Sequence, residues 1–406
     1  MQIKAFSALR PTKQMAKEVA ALPYDVMTLK EAKEIVKVHP YSFLRIDKPE
    51  VQWELSGQAL YERAGEQLSE WIKQKIFVRE SQALYVYELQ TQKVHQYGLV
   101  TLVSTKDYID NRIKQHEKTR KDKEQERVWH IQACQAHTGP IFLVDNTLED
   151  LGERLKDYTM SHQAILNDTF EDGVTHKIYK VSEEDIINKW IKDFEKVTAL
   201  YIADGHHRAA AAVKVSEVVG HHMKQANDFL AIIFPKDQLQ ILAYHRVIKD
   251  VSGYTKERLW QYLEELFEII PVQKDFYLPD QKHTFGMRYK KKWYRLKCKE
   301  SCLKTLQGIQ CLDVSILQDK VLGPIFMIKN PKEDPHIDFV PGTEQPELLN
   351  WRTDGEEMDI AFSLFPTSIE ELIITANEGG LMPPKSTWFE PKLRSGFILH
   401  PFHEEY

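Results

Sequence analysis

The stretch Tyr201 to Val215, YIADGHHRAAAAVKV, sets an acid, a glycine, two histidines and an arginine between an apolar run and a string of alanines. TALYIA (198–203) reads as a strand, Asp204 and Gly205 as a turn, and His206 onward as a helix that Gly220 can end. A strand that turns into a helix aims the first, unbonded N–H groups of that helix at one spot and places the positive end of its dipole there. Such a spot suits a phosphate. Arg208 adds a planar fork for phosphate oxygens, and His206 and His207 add donors or a proton relay on different sides of the turn. The bland alternative is an Asp204 that only caps the helix, with solvated histidines.

Outward from this turn the chain reads as mixed α/β. On the N-terminal side, ALYVYELQ (83–90) and YGLVTLVS (97–104) form an expected hairpin, PIFLVD (140–145) a buried strand and HKIYKVS (176–182) another. QALYERAGEQLSEWIKQK (58–75), with Leu60, Leu68 and Trp71 on one face, KEQERVWHIQACQAH (123–137) and LEDLGERLKDY (148–158) read as helices. Thr12 is expected to cap a helix in TKQMAKEVAAL (12–22), and Ser182 one in EEDIINKWIKDFEKV (183–197). LAIIFPKDQLQILAYHRVI (230–248) suggests two strands around a Pro-Lys-Asp turn. TKERLWQYLEELFEII (255–270) suggests a helix, HTFGMRYKKKWYRLKCK (283–299) a basic hairpin, and PTSIEELIITANEGG (366–380) a helix capped by Ser368. No repeat or low-complexity linker marks a boundary. The expected division is 1–248 and 249–406.

Composition narrows the classes. With 406 residues, 42% hydrophobic and 28% charged, the chain is that of a globular protein large enough for more than one core. A net charge of −6 supplies no global field for nucleic acid. No apolar run approaches the roughly 20 residues of a membrane span, and MQIKAFSALRP lacks a signal-peptide core, so the expectation is a cytoplasmic protein with no membrane partner. Four cysteines are too few for a disulfide scaffold. Cys298 and Cys302 have a spacing compatible with zinc, but no second pair follows, so no structural zinc is expected.

A second box, RIKQHEKTRKDKEQERVWH (112–130), places His116 and Glu117 just after the apolar Ile113. Thr119, Lys123 and Arg127 recur every fourth residue and would stack on one helical face. A carboxylate at the mouth of such a stripe is placed to take a proton from a hydroxyl or to help hold magnesium while the cations receive phosphate. A solvated, salt-bridged helix is the competing reading, since Asp122, Glu124 and Glu126 are interspersed. Tyr24 and Asp25 in ALPYDVM, Ser42 and Arg45 in HPYSFLRID, and Lys385, Ser386 and Thr387 in MPPKSTWFEPK are further candidates for substrate or anion contact, each with a turn or packing role as its alternative.

The pair "HE after a short strand" and "DG-x-HR opening a helix" resembles the signature of free L-serine kinases built on the ParB/sulfiredoxin fold. The matching residues are His116, Glu117, Asp204, Gly205, His207 and Arg208. Along nearly its whole length the chain resembles a bacterial and archaeal family described as a domain of unknown function. It shares the motifs FSALRP, LPYDVM, SFLRIDKPE, HEKT, IADGHHRAAAA, YHRVI and MPPKSTWFEPKLRSG. The resemblance implies a ParB/sulfiredoxin-like core with large insertions and a C-terminal α/β portion that closes the site. It also implies ATP or ADP with Mg2+ as cofactors, and transfer of the terminal phosphoryl group to free L-serine or a similar acceptor. By carry-over Glu117 is the general base, Asp204 and His207 complete the catalytic set, and either acid holds magnesium. His116, Gly205, His206 and Arg208 then bind the nucleotide phosphates, and the stripe of Thr119, Lys123 and Arg127, read from its spacing, is expected to join them. The 87 positions between Glu117 and Asp204 exceed the interval in the compact kinases, which implies an insertion able to reshape the acceptor pocket. Two other readings stay open. One is a ParB-like protein that binds and hydrolyses nucleotide without kinase activity, and the other is a zinc hydrolase using His206, His207, His221 and His222.

Overall fold

The computed structural model describes residues 1–250, 252–355 and 357–403. The chain is a mixed α/β protein that divides into two compact units, Met1–Leu239 with Pro391–Tyr406, and Gln240–Glu390. This differs from the expected division at 248/249. The crossing falls earlier, and the last segment of the chain returns to the first unit. Among the described residues no helix is long and apolar enough to cross a membrane.

The first unit is built on a nine-stranded sheet. Its strands are β1 (Ile3–Lys4), β2 (Leu84–Gln90), β3 (His95–Ser104), β4 (Ile113–Lys114), β5 (Ile141–Asp145), β6 (Leu166–Thr169), β7 (Thr175–Val181), β8 (Leu200–Asp204) and β9 (Asp228–Pro235). They lie in the order β4-β8-β5-β9-β3-β2-β7-β6, with β1 added alongside β3. β2 and β3 form the expected antiparallel hairpin, Tyr85 facing Val100 and Gln90 facing His95. β9, DFLAIIFP, is buried at every position. Such a continuous apolar run belongs to a central strand covered on both faces, and β9 accordingly pairs in parallel with β5 and antiparallel with β3.

The longer helices of this unit are α1 (Leu29–Val38), α2 (Gln58–Lys73), α3 (Lys121–Cys134), α4 (Leu151–Ser161), α5 (Glu184–Phe194) and α6 (His206–Val219). Thr28 caps α1 in a full capping box with Glu31. Two expected caps are absent. Thr12 precedes only a single helical turn, Ala16–Val19, entered from Met15, and α5 starts from Glu183 rather than Ser182, with no side-chain cap in either case. The alanines of α6 serve close packing: Ala209, Ala211 and Ala212 are fully buried, and Ala211 and Val215 meet Val128 and Ile131 of α3. α2 and α3 approach so closely that a Cβ on Gly65 would stand 2.2 Å from the Ala133 carbonyl oxygen. Gly65→Ala should therefore destabilise the first unit by about 1–3 kcal/mol, despite alanine's better helix propensity. A thermal melt no lower than that of the parent would contradict this close contact.

The second unit carries a six-stranded sheet of Phe267–Val272, Lys292–Cys298, Thr284–Tyr289, Ile360–Leu364, Tyr244–Ile248 and Ile337–Pro341, in that order. Its neighbouring strands pair antiparallel throughout. The basic segment is the expected hairpin, and Ser368 caps Ile369–Asn377 in a capping box with Glu371. Two expectations are corrected. The helix beginning at Lys256, capped by Thr255, stops at Leu266, and FEIIPV (267–272) runs on as an edge strand. The Pro-Lys-Asp segment is a short 3-10 turn that joins no hairpin. β9 before it belongs to the first unit, whereas Gln240–Leu242 after it pairs with Trp388–Glu390 of the second.

Candidate functional site

β4 and β8 lie side by side and parallel, Ile113 opposite Leu200 and Lys114 opposite Tyr201. Parallel strands release the chain at the same edge of the sheet, so the HE box leaving β4 and the DG turn leaving β8 emerge together although 87 positions separate their acids. The junction is tight. The fully buried ring of His116 meets that of His206 edge to face at 4.6 Å between centroids, and His207 Nε2 accepts the Arg120 N–H at 3.0 Å. The two adjacent histidines thus face different sides of the turn.

The turn itself requires glycine. Gly205 sits at φ +95°, in the left-handed region, at the head of α6. Its N–H is taken by Asp204 Oδ1 at 2.8 Å, and the Arg208 side chain curls back until a Cβ on Gly205 would meet its Nε at 3.1 Å. Arg208 also donates to the Pro140 carbonyl at 2.5 Å. Burial opposes ionisation of Asp204, yet the Lys392 ammonium at 3.4 Å and the Arg208 guanidinium at 3.9 Å overcome it, with His206 adding to them. The carboxyl is held well below the usual carboxylate range. His116 is shifted the other way: burial lowers its pKa to about 4, against a hydrogen bond to the Ile202 backbone and the charge of Asp204. It is neutral at pH 7 and out of contact with solvent, which fits a buttress for His206 rather than a direct phosphate ligand.

Lys392 is the residue that the sequence did not single out. It lies 188 positions beyond Asp204, in the segment that returns to the first unit, and nothing local marks it. Lys392→Met should leave Asp204 under-compensated and lower stability at pH 7 by about 1–3 kcal/mol. An unchanged melting temperature would show that Arg208 suffices alone.

The expected cationic stripe does not form. Helix α3 begins at Lys121, so Thr119 lies before it and donates to Glu124 Oε2 at 3.0 Å. Lys123 pairs with Glu126 at 2.8 Å along the helix surface. Arg127 turns inward, 4% exposed, its guanidinium 4.0 Å over the Tyr24 ring. Tyr24, Arg127 and Arg208 line one cleft, together with Asp47, His130 and Thr138. Asp25 is exposed beside it in sequence. Ser42 is buried, its Oγ accepting the Leu44 N–H, and Arg45 bonds Gln52 and the Val36 carbonyl, so both brace the fold.

Lys385, Ser386 and Thr387 belong to the second unit. Lys385, at φ +57°, reaches the Tyr244 hydroxyl at 3.4 Å, and Arg246 donates to its carbonyl at 2.9 Å. Ser386 is buried and donates to the Pro383 carbonyl, which closes the loop on itself. Among the described residues no group of three or more His, Cys, Asp or Glu is arranged to hold a metal ion.

Comparison with solved structures finds a free serine kinase in complex with ADP, 13% identical, covering 71% of this chain and 87% of that one, with a TM-score of 0.38. C-terminally truncated SbnI from Staphylococcus aureus is 12% identical, covering 73% and 85%, with a TM-score of 0.39. A conserved hypothetical protein from Pyrococcus furiosus is 14% identical, covering 73% and 93%, with a TM-score of 0.37. No curated protein matches the chain significantly. The family model described as protein of unknown function DUF1015 matches residues 3–315, most of the sequence, and the chain belongs to that family.

Proposed function

We propose that the protein is a small-molecule phosphotransferase with a ParB/sulfiredoxin-like core, which moves the terminal phosphoryl group of ATP or ADP to the hydroxyl of free L-serine. The observation that carries this reading is the convergence of the two boxes at one sheet edge, with the His116 ring against that of His206. Phosphoryl transfer asks a protein mainly to position and to stabilise charge. The head of α6 supplies backbone donors and the positive end of a 14-residue helix for the phosphates. Arg208 supplies a fixed fork beside them, and His207, turned to the side of Arg120, a further polar group.

Glu117, half-buried on the loop that leaves β4, takes the proton from the serine hydroxyl as its oxygen attacks the terminal phosphorus, whose bond to the bridging oxygen breaks and releases ADP from ATP or AMP from ADP. Asp204 stays ionised opposite Lys392 and Arg208 and fixes the turn rather than exchanging protons. Magnesium at nucleotide sites is held by one or two carboxylates plus phosphate oxygens. Asp204 is poorly placed for that part because its oxygens already face two cations, and Glu117 would hold the ion only in place of acting as the base. A bound magnesium would neutralise charge developing on the phosphate oxygens.

Incubation with L-serine, Mg2+ and ATP or ADP tests the reading by 31P NMR. The expected product is O-phosphoserine, seen as a new phosphomonoester resonance. Release of inorganic phosphate with no phosphoserine would instead favour a protein that hydrolyses nucleotide to switch partners.

A further inference from the structure

Behind the phosphate turn lies a narrow cleft lined by Tyr24, Asp47, Arg127, His137, Thr138 and Arg208. Arg127 is buried in it. One Nη donates to the Asp47 carbonyl at 3.2 Å, while its Nε has no hydrogen-bond partner. His137, 5% exposed, likewise leaves Nε2 without one. A buried donor or acceptor without a partner carries the full desolvation cost, so such groups in a native site call for a ligand or an ordered water.

The opposite charge is also present. The Asp47 carboxylate, 4% exposed, accepts from Thr138 Oγ1 at 3.1 Å and stands 3.4 Å from His130 Nε2. The cleft is therefore lined by both a guanidinium and a carboxylate, and Arg208 belongs both to it and to the turn at the head of α6. A purely anionic ligand would use only half of this pattern. A zwitterion uses both halves.

We infer that this cleft holds the α-amino-acid end of the acceptor, its carboxylate on Arg127 and its ammonium facing Asp47, so that the side-chain hydroxyl points back past Arg208 toward the phosphoryl group. The inference rests on the phosphotransferase reading for the identity of the acceptor, but binding in the cleft does not require nucleotide. The side chains leave free space for about one water molecule. Entry of an amino acid therefore displaces Tyr24, which sits on the non-helical segment 20–28.

Calorimetric titration with L-serine, ethanolamine and glycolate, and separately with ADP, tests the assignment. L-serine should bind, whereas ethanolamine, which lacks the carboxylate, and glycolate, which lacks the amine, should not. Arg127→Gln and Asp47→Asn should each weaken serine binding at least about tenfold, with ADP affinity held within about twofold. Unchanged serine affinity in Arg127→Gln overturns the inference, as does loss of ADP binding in place of serine binding. Because buried substitutions can unfold a chain, hydrogen exchange on the unaltered protein is the second measurement. L-serine should protect amides in 22–27 and 137–139, and protection confined to the second unit overturns the assignment. Nucleotide binding with no amino-acid binding sinks the cleft but leaves the phosphate turn. Amino-acid binding with no nucleotide binding does the reverse.

Discussion

Glu117→Gln should lower kcat for phosphoserine formation by about 10²–10⁴-fold while nucleotide still binds. The amide is nearly isosteric but cannot accept a proton, and the turn proposed to hold the phosphates lies on a different strand and helix. The expected signature is therefore a fall in kcat with little change in the KM for nucleotide. Equal loss of both would make Glu117 a nucleotide or magnesium ligand and remove it as the base. Retention of more than about a tenth of the activity would exclude it from both roles.

The second large effect concerns acid. Burial lowers His116, His130 and His400 to about 4 and His137 to about 3, with Arg127 adding to the effect at His130 and His400 adding to it at His137. All four lie in the first unit. Their folded values fall below the unfolded value near 6.5, so the unfolded chain binds more protons between pH 6.5 and 4. Stability is thus complete above about pH 7 and is lost as pH falls. Four protons correspond to a slope of about 5 kcal/mol per pH unit as an upper bound, against typical domain stabilities of about 5–15 kcal/mol. The raised carboxyls of Asp145 and Asp168 offset part of this, and the first unit should lose stability as pH falls from 6.5 toward 4.

The second unit should not follow. There burial lowers His245 to about 4 but raises Asp313 to about 7, and below pH 6.5 one group's extra proton in the unfolded chain offsets the other's in the fold. Hydrogen exchange at pH 7 and pH 5, corrected for intrinsic rates, checks both statements. Protection should collapse in Leu84–Gln90 and Asp228–Pro235 and persist in Thr284–Tyr289 and Ile360–Leu364. Equal loss in both units would contradict the assignment of the sensitivity to the buried histidines.

The strand–turn–helix geometry around the candidate site was legible because its signals are local. A strand, a glycine that must take positive φ and an alanine-rich helix are encoded within fifteen residues, and the short strand before His116 is marked by Ile113. The rest depends on tertiary context. Spacing by four suggested a stripe through Thr119, Lys123 and Arg127, but the helix starts two residues too late for Thr119, and Arg127 is drawn inward by Asp47 and the Tyr24 ring. Lys392 is selected by a long-range return of the chain, which no window around Asp204 contains. The division between the compact units falls at 239/240 rather than 248/249, where no linker or composition shift marks it in the sequence.

The central claim is that Glu117 and the turn at 204–208 face one phosphoryl group. A crystal structure of the protein with Mg2+ and a non-hydrolysable ATP analogue tests it most directly. The terminal phosphate should sit on the backbone N–H groups at the head of α6, within hydrogen-bonding reach of Arg208 and with the Glu117 carboxylate facing it. A nucleotide bound elsewhere, or seated on α6 with Glu117 turned away and no room for an acceptor between them, would contradict the account.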